Sequence, residues 1–552
     1  MNGRVSWRGI VLTLCLVAAF FIELGSRGLN EPDEGRYASI AREMAVDGDW
    51  LIPHLNGIPH FQKPPIIYWA TALSFKCFGF NETAARLPST LAALGILALT
   101  FLIGRKLFGL ATGVGAVFVL AALVEFFALA RMLTPDMVMS FWITSAIFCL
   151  VKHRLDGRRL WGWLFFAAMG LGFMTKGPMA FVVPVSAALV WRRAAEPLPK
   201  ERRLPWLPGL ALALAIGLSW FIVLTVRDPR LGSYFTGYEL VQRFASKVHG
   251  RSKPFWFFAP VLWFGCAPWS PVFVVMTGDF FRRWRGGWRP VSNAWLLAGW
   301  VLPPLIILSL SGSKLVTYVL PLLPALAIGL ACWQQKSPVA ARCTHLVSAG
   351  IFGISAVGLL LSHRWIHQVD VSGLAAPFFL VAMALALASL PMFTTKPISA
   401  LGVISLTTLA GWLWVATYAD RVNDLLGAQP SIRPLARRVK TAPDLDRATL
   451  FVVDARLPGW SFYLQRHVSV SLTDSDVLLP LTREQQERML PDSFKCPALL
   501  ESRAPAYGIV PDIQFQMLYS TNRWVLLDRA ANYCLIATRD AALAQTAPAA
   551  KP

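Results

Sequence analysis

The sequence predicts a polytopic α-helical membrane protein that carries an α/β domain at its C-terminal end. Three observations predict it. The 552 residues are 55% apolar and only 15% charged, with mean hydropathy +0.51, where a soluble chain has about a quarter of its residues charged. Apolar runs near the roughly 20 residues that cross a bilayer recur along the chain. Lys and Arg gather in alternate loops, the bias that orients membrane helices. The same numbers exclude a disordered chain, a collagen-like fibre and a disulfide-stapled miniprotein. Eight Cys are scattered without a CxxC or a Cys/His pair at zinc spacing, so a structural metal site is not expected.

The runs fall near 9–25, 88–104, 110–130, 137–151, 160–175, 178–191, 206–226, 255–280, 292–312, 316–333, 343–362, 372–393 and 397–418. That is about thirteen transmembrane helices. The first lacks a small-x-small cleavage site, since Glu23, Leu24, Gly25 and Ser26 follow it, and reads as an uncleaved helix. The run at 65–75 is too short to span and reads as a helix lying at the interface. With residue 1 in the cytoplasm, every alternation agrees with the charges. The inside segments hold twenty Lys and Arg, among them Arg4, Arg105, Arg192 and Arg282, against three acids, Asp156, Glu196 and Glu201. Most of the net charge of +21 is therefore a topology signal and not the footprint of nucleic acid.

The expected organisation is a transmembrane domain over 1–418 and an outside domain over 419–552. Two outside loops, 26–87 and 227–254, are long enough to matter. The C-terminal domain has strand-like runs at 448–454, 467–472, 523–528 and 532–538, with helix-like stretches at 457–465 and 482–490, which makes it α/β. Cys496 and Cys534 lie in it, as a disulfide or as two free thiols. The Ala/Pro-rich tail from about 541 is expected to be disordered.

The residues that carry chemistry lie on the outer face. Glu31-Pro32-Asp33-Glu34-Gly35-Arg36-Tyr37 follows the first span. Pro before two acids marks a helix start, where carboxylates favour the positive helix end. The acids are either a solvated cap or a base held at the membrane surface. Gln62-Lys63-Pro64-Pro65 with Tyr68-Trp69 is either an aromatic belt with a snorkelling lysine or a lysine pinned where a phosphate head group would sit. Asp136, in Thr134-Pro135-Asp136, stands at a span edge and is an edge cap or a functional acid. Lys176 and Lys314 occupy short outside turns, against the inside bias, and suggest an anion site. Arg243, in Gln242-Arg243-Phe244, could grip phosphate bidentately or sit on a plain surface helix. Two carboxylates and four cations at one membrane face suit a reaction on a lipid-linked phosphate. A transporter would instead place its ionisable residues near the midplane, where the clear example here is Glu125.

These motifs carry a resemblance. Pro32-Asp33-Glu34, Arg36-Tyr37-Ala38, Gly48-Asp49-Trp50, Lys63-Pro64, Met174-Thr175-Lys176-Gly177, Gln242-Arg243-Phe244 and Lys314-Leu315 with Thr317-Tyr318 follow in the order seen in the GT-C membrane glycosyltransferases. Within these the chain resembles the bacterial aminoarabinose lipid A transferases, relatives of the protein O-mannosyltransferases. The likeness covers most of residues 1–335; beyond that it is one of layout. It implies a GT-C fold in the bacterial inner membrane with a periplasmic C-terminal domain. The implied donor is undecaprenyl phosphate carrying 4-amino-4-deoxy-L-arabinose, and the implied acceptor a lipid A phosphate. Asp33 and Asp136 would be the acids nearest the sugar. Lys63, Lys176, Arg243 and Tyr318 would hold the donor phosphate, with Glu34, Tyr37 and Lys314 shaping the pocket. Gln62 stands where related enzymes commonly have Glu, and Leu240 where many have His, so no divalent metal or other cofactor is expected. The alternative within the class is another sugar, passed to lipopolysaccharide core or to protein.

Overall fold

A computed structural model describes residues 7–194, 203–235, 253–287, 290–336, 397–417, 431–453, 455–471, 482–487, 489–490, 505–512, 515, 523–530 and 532–546. They divide into two units. Unit 1 takes Met1–Ile22 and Ser89–Ala416, and unit 2 takes Glu23–Pro88 and Thr417–Pro552. The later stretch of unit 2 begins at Thr417. The segment after the first helix belongs with the C-terminal residues.

In chain order, α1 spans Trp7–Phe21. The segment after it holds α2 (Asp33–Asp47), the short antiparallel pair β1 (His54–Leu55) and β2 (Ile58–Pro59), and α3 (Ile66–Phe78). The helix α2 starts directly after Pro32, as its sequence predicts, and ends where Gly48 adopts φ +76°, a conformation that Gly takes without strain. The helix α3 occupies the run expected to be a short helix.

There follow α4 (Glu82–Phe108), α5 (Leu110–Ala122), α6 (Val124–Ala130), α7 (Pro135–Asp156), α8 (Arg159–Phe173), α9 (Met179–Ala194) and α10 (Trp206–Arg227). Then come α11 (Phe258–Gly265), α12 (Ser270–Arg285), α13 (Ser292–Leu310), the 3₁₀ segment Val316–Leu322, α14 (Leu323–Lys336) and α15 (Pro397–Thr417). Among the described residues, five helices are long and apolar enough to cross a bilayer, or up to seven if each bent pair is one span. The runs expected to span at 343–362 and 372–393 lie outside the described residues.

Two expected single spans are broken. The run 110–130 bends by 72° between α5 and α6, and the run 255–280 bends by 115° between α11 and α12. The second break contains Pro268, which has no N–H to continue a helix. At the first, Leu123 is extended, and the Val124 N–H donates to the Ala267 carbonyl in the other break at 3.1 Å. Backbone freed from a helix at membrane depth must find such partners inside the protein. Around the breaks, α7 packs on α8, α9 on α13, and α5 on α14. Ile143, Ile147, Phe165, Phe166 and Trp300 are fully buried among them. Leu207, Val226 and Leu310 face outward, as the apolar surroundings read from the sequence require.

Unit 2 continues with α16 (Arg433–Lys440), β3 (Thr449–Val452), α17 (Gly459–Leu464), β4 (Ser469–Ser471), β5 (Met489–Leu490), β6 (Ala506–Pro511), β7 (Trp524–Ala530), β8 (Tyr533–Thr538) and α18 (Arg539–Thr546). The strands form one sheet in the order β5-β4-β3-β6-β8-β7. Its β5-β4-β3-β6 side is parallel and its β6-β8-β7 side antiparallel. The four expected strands are present. The sequence reading missed β5 and β6; of the helix expected over 482–490, Arg483–Glu487 is helical and Met489–Leu490 is strand. The tail expected to lose order from about 541 is helical through Thr546. Cys534 is a buried free thiol, 3.0 Å from Asp512 Oδ1; Cys496 lies outside the described residues.

The early segment is built into this unit by side chains. Leu29 N donates to Tyr463 Oη at 2.7 Å, Ser39 Oγ to the Pro458 carbonyl at 2.7 Å, and Val468 N to Asn56 Oδ1 at 3.2 Å. The Phe75 and Phe462 rings lie 5.6 Å apart. The loop 26–87 therefore has its own hydrophobic and polar anchors in the C-terminal residues.

Candidate functional site

In unit 1 the α7 start is capped by Thr134. Its hydroxyl accepts from Asp136 N at 3.2 Å and donates to Asp136 Oδ2 at 2.8 Å, with Pro135 at the first helical position. That fixes one carboxylate oxygen. The other is ion-paired with Lys176, which sits in the turn joining α8 to α9. The Lys176 ammonium lies 5.1 Å from the centre of the Tyr318 ring, a cation–π distance. Tyr318 is carried by the 3₁₀ segment, which Trp300 Nε1 holds by donating to the Pro321 carbonyl at 2.8 Å. Asp136, Lys176 and Tyr318, expected from three separate motifs, are thus brought together. The Asp136 and Lys176 side chains are only 6% and 13% exposed. A shielded ammonium acts on an anion through a lower dielectric than water.

In unit 2 the acids of the first motif part ways. Asp33 is 70% exposed and accepts from Arg36 at 2.6 Å. Glu34 is buried, and Arg86 reaches it through Nε at 2.9 Å and Nη2 at 3.0 Å. Burial alone would raise its carboxyl, but the Arg86 guanidinium and its hydrogen bonds hold it down at about 2. Arg86 also donates to the carbonyls of Leu24, Arg27 and Gly28. Through Arg86, Glu34 is tied to the chain entering α2. Tyr37 is buried. Its ring lies 6.0 Å from Tyr68 and under the Arg36 guanidinium at 5.3 Å.

Lys63 precedes the two prolines that lead into α3. Burial, helped by the nearby Arg36 and Lys63 charges, pushes His60 down to about 3. Gln62 Oε1 accepts from Arg36 at the long distance of 3.5 Å. A neutral amide facing a guanidinium does not suit a divalent ion at that position. Elsewhere in unit 2, Glu43, Asp47 and His467 hold ligand atoms within 4.8 Å of one another. They line an open cavity of about 560 Å³ with Arg42, Arg447 and Arg466. Glu43 already accepts from the N–H groups of Asn56 and Gly57 at 2.8 Å each, so it shapes the β1–β2 turn.

Lys314 is buried, and its ammonium donates to the carbonyls of Ser311 at 2.5 Å and Lys253 at 3.0 Å. These two bonds tie the turn that carries Lys314. Arg243 lies outside the described residues. Sequence reasoning passed over Arg36 and Arg86 as site residues. Arg36 stood inside a quoted motif and could have been found there. Arg86 pairs with an acid 52 positions away, which no local pattern reveals.

The profile of the dolichyl-phosphate-mannose-protein mannosyltransferase family matches residues 62–222. The undecaprenyl phosphate-α-4-amino-4-deoxy-L-arabinose arabinosyl transferase 1 of Sodalis glossinidius is 32% identical over 434 residues, 76% of this chain and 72% of that protein. The corresponding transferase of Serratia proteamaculans is 30% identical over 437 residues, again covering 76% and 72%. The crystal structure of ArnT from Cupriavidus metallidurans bound to undecaprenyl phosphate superposes with a TM-score of 0.83 at 23% identity, covering 97% of this chain and 98% of that one. This likeness gives the fold, that of a GT-C multi-pass membrane protein. On the identity and coverage it shares with the curated transferases, the chain belongs to the family of undecaprenyl phosphate-aminoarabinose arabinosyl transferases.

Proposed function

We propose that this enzyme transfers 4-amino-4-deoxy-L-arabinose from undecaprenyl phosphate to a phosphate of lipid A, at the periplasmic face of the bacterial inner membrane. Family membership carries the reading, and the Asp136–Lys176 pair beside Tyr318 supplies chemistry that supports it. In this reading the chain crosses the membrane about thirteen times, with its N-terminus cytoplasmic and residues 419–552 periplasmic.

The reaction is a single in-line displacement. A lipid A phosphate oxygen forms a bond to the anomeric carbon. The bond from that carbon to the polyprenyl phosphate oxygen breaks, its electron pair leaves with the phosphate, and the carbon inverts. The acceptor is already ionised and needs no strong base. Catalysis then rests on neutralising the departing phosphate. Lys176 is one cation for it, released from Asp136 as the phosphate approaches, with Tyr318 beside it. Lys63 and Arg243 are the others. The reading needs no cofactor.

The test is lipid A from a strain that makes the donor. Expression of the protein should add the mass of one aminoarabinose to a lipid A phosphate. Lys176→Ala should lower transfer by about 10²–10³-fold, the scale for losing one preorganised charge contact, while the protein still inserts and elutes as a single species. Unmodified lipid A in the presence of wild-type protein and donor would overturn the reading.

A further inference from the structure

Glu125 is a buried acid of unit 1 that this reaction leaves unused. It is the second residue of α6, beyond the 72° bend; a helix N-terminus favours a carboxylate, yet no N–H there donates to it. Its residue is 6% exposed, and both carboxylate oxygens lack a hydrogen-bond partner. An unmatched carboxylate in a membrane helix is costly and marks a functional position by default. Its charged neighbour gives no relief. The charged group that acts on it is another acid, Asp136, whose own charge is taken up by Lys176. Oε2 lies against Gly265, the last residue of α11, where an added Cβ would stand 2.4 Å from it. A helix C-terminus carries partial negative charge. The two helix breaks, joined by the bond from Val124 N to the Ala267 carbonyl, thus enclose negative charge with no cation to match it among the described residues. In membrane transporters, unwound backbone carbonyls and half-helix C-termini coordinate cations.

We propose that Glu125 is the recognition site for a primary ammonium, the protonated amine of the transferred sugar. This rests on the reaction proposed above. The amine and the reacting carbon of a pentose are separated only by the width of the ring. A group beside Asp136 is therefore placed to hold the amine while Lys176 addresses the phosphate. The contact distinguishes an amino sugar from a neutral one, because a neutral donor leaves Glu125 buried and unmatched.

Purified full-length protein in nanodiscs would be given lipid A and either of two donors, undecaprenyl phosphate-aminoarabinose or undecaprenyl phosphate-arabinose, whose hydroxyl replaces the amine. Wild type should prefer the amino donor in kcat/KM by at least about tenfold, a modest share of what one buried charge contact contributes. Glu125→Gln should lose that preference through a raised KM for the amino donor, with the neutral donor changed by less than about threefold. If Glu125→Gln does not fold, Glu125→Asp, which keeps the charge but shortens its reach, should weaken the amino donor selectively. A preference that survives in the folded variant, or equal use of both donors by wild type, overturns the subsite alone. No transfer by wild type from either donor overturns the transfer reading and the subsite with it.

Discussion

Glu31 and Glu34 stand three residues apart and are driven to opposite charge states. Burial, reinforced by Glu34 and opposed by the Gly459 N–H, pushes Glu31 up to about 8. Its carboxylate fits against Gly35 and Gly459 without a well-formed hydrogen bond. Glu34, also buried, is held at about 2 by Arg86. The signs differ. A raised acid contributes stability that is complete below its unfolded value of 4.5 and is lost as pH rises toward 8. A lowered acid contributes stability that is present above 4.5 and is lost as pH falls through 2. Glu31→Gln removes the first dependence and keeps the shape. Its Tm should fall less than that of wild type between pH 5 and pH 8, about the span of the Glu31 shift; parallel Tm curves would refute the assignment. The motif containing these acids was legible in the sequence, and so was the helix start. Their partners were not, because Arg86 and Gly459 are distant in the chain, and only the fold decides which acid meets a guanidinium.

Elements were legible where hydrophobicity alone defines them. Long apolar runs gave helices close to their expected limits, and four alternating runs gave strands. The breaks at Leu123 and Pro268 were hidden because an apolar run reads the same whether straight or bent. A proline flags a weak point without fixing an angle. Strand β6 was missed for a different reason. Its sequence, Ala506–Pro511, contains Gly508 and ends in Pro, two residues that depress strand propensity. The structure explains the glycine. A Cβ at 508 would stand 2.1 Å from the Phe451 ring on the neighbouring strand β3. Gly508→Ala should therefore destabilise unit 2 by about 1–3 kcal/mol, the cost of overpacking a core. The measurement is a denaturant midpoint followed through Trp524 and Trp460, both buried in that unit. An unchanged midpoint would show that the Phe451 ring moves aside freely.

At the scale of the whole chain, unit 2 is assembled from two stretches far apart in sequence, Glu23–Pro88 and Thr417–Pro552. Composition could not show this, since a loop between two spans looks the same whether or not it belongs to a distant domain. The early stretch relies on the late one for the partners of Leu29, Ser39 and Asn56. A chain truncated after residue 430 should leave that stretch open to protease. Trypsin should cut at Arg42, which is only 5% exposed in the complete protein, and leave full-length protein intact there. Equal resistance in both would mean that the early stretch holds its shape alone. The arrangement has a consequence during synthesis. A ribosome adds about 5–20 residues per second, and the whole of unit 1 beyond Ser89 is made between the two stretches. The first stretch must wait tens of seconds for its counterpart, while helix after helix is delivered to the bilayer. Biogenesis of this protein therefore includes an interval of exposure that a chaperone outside the membrane is well placed to cover.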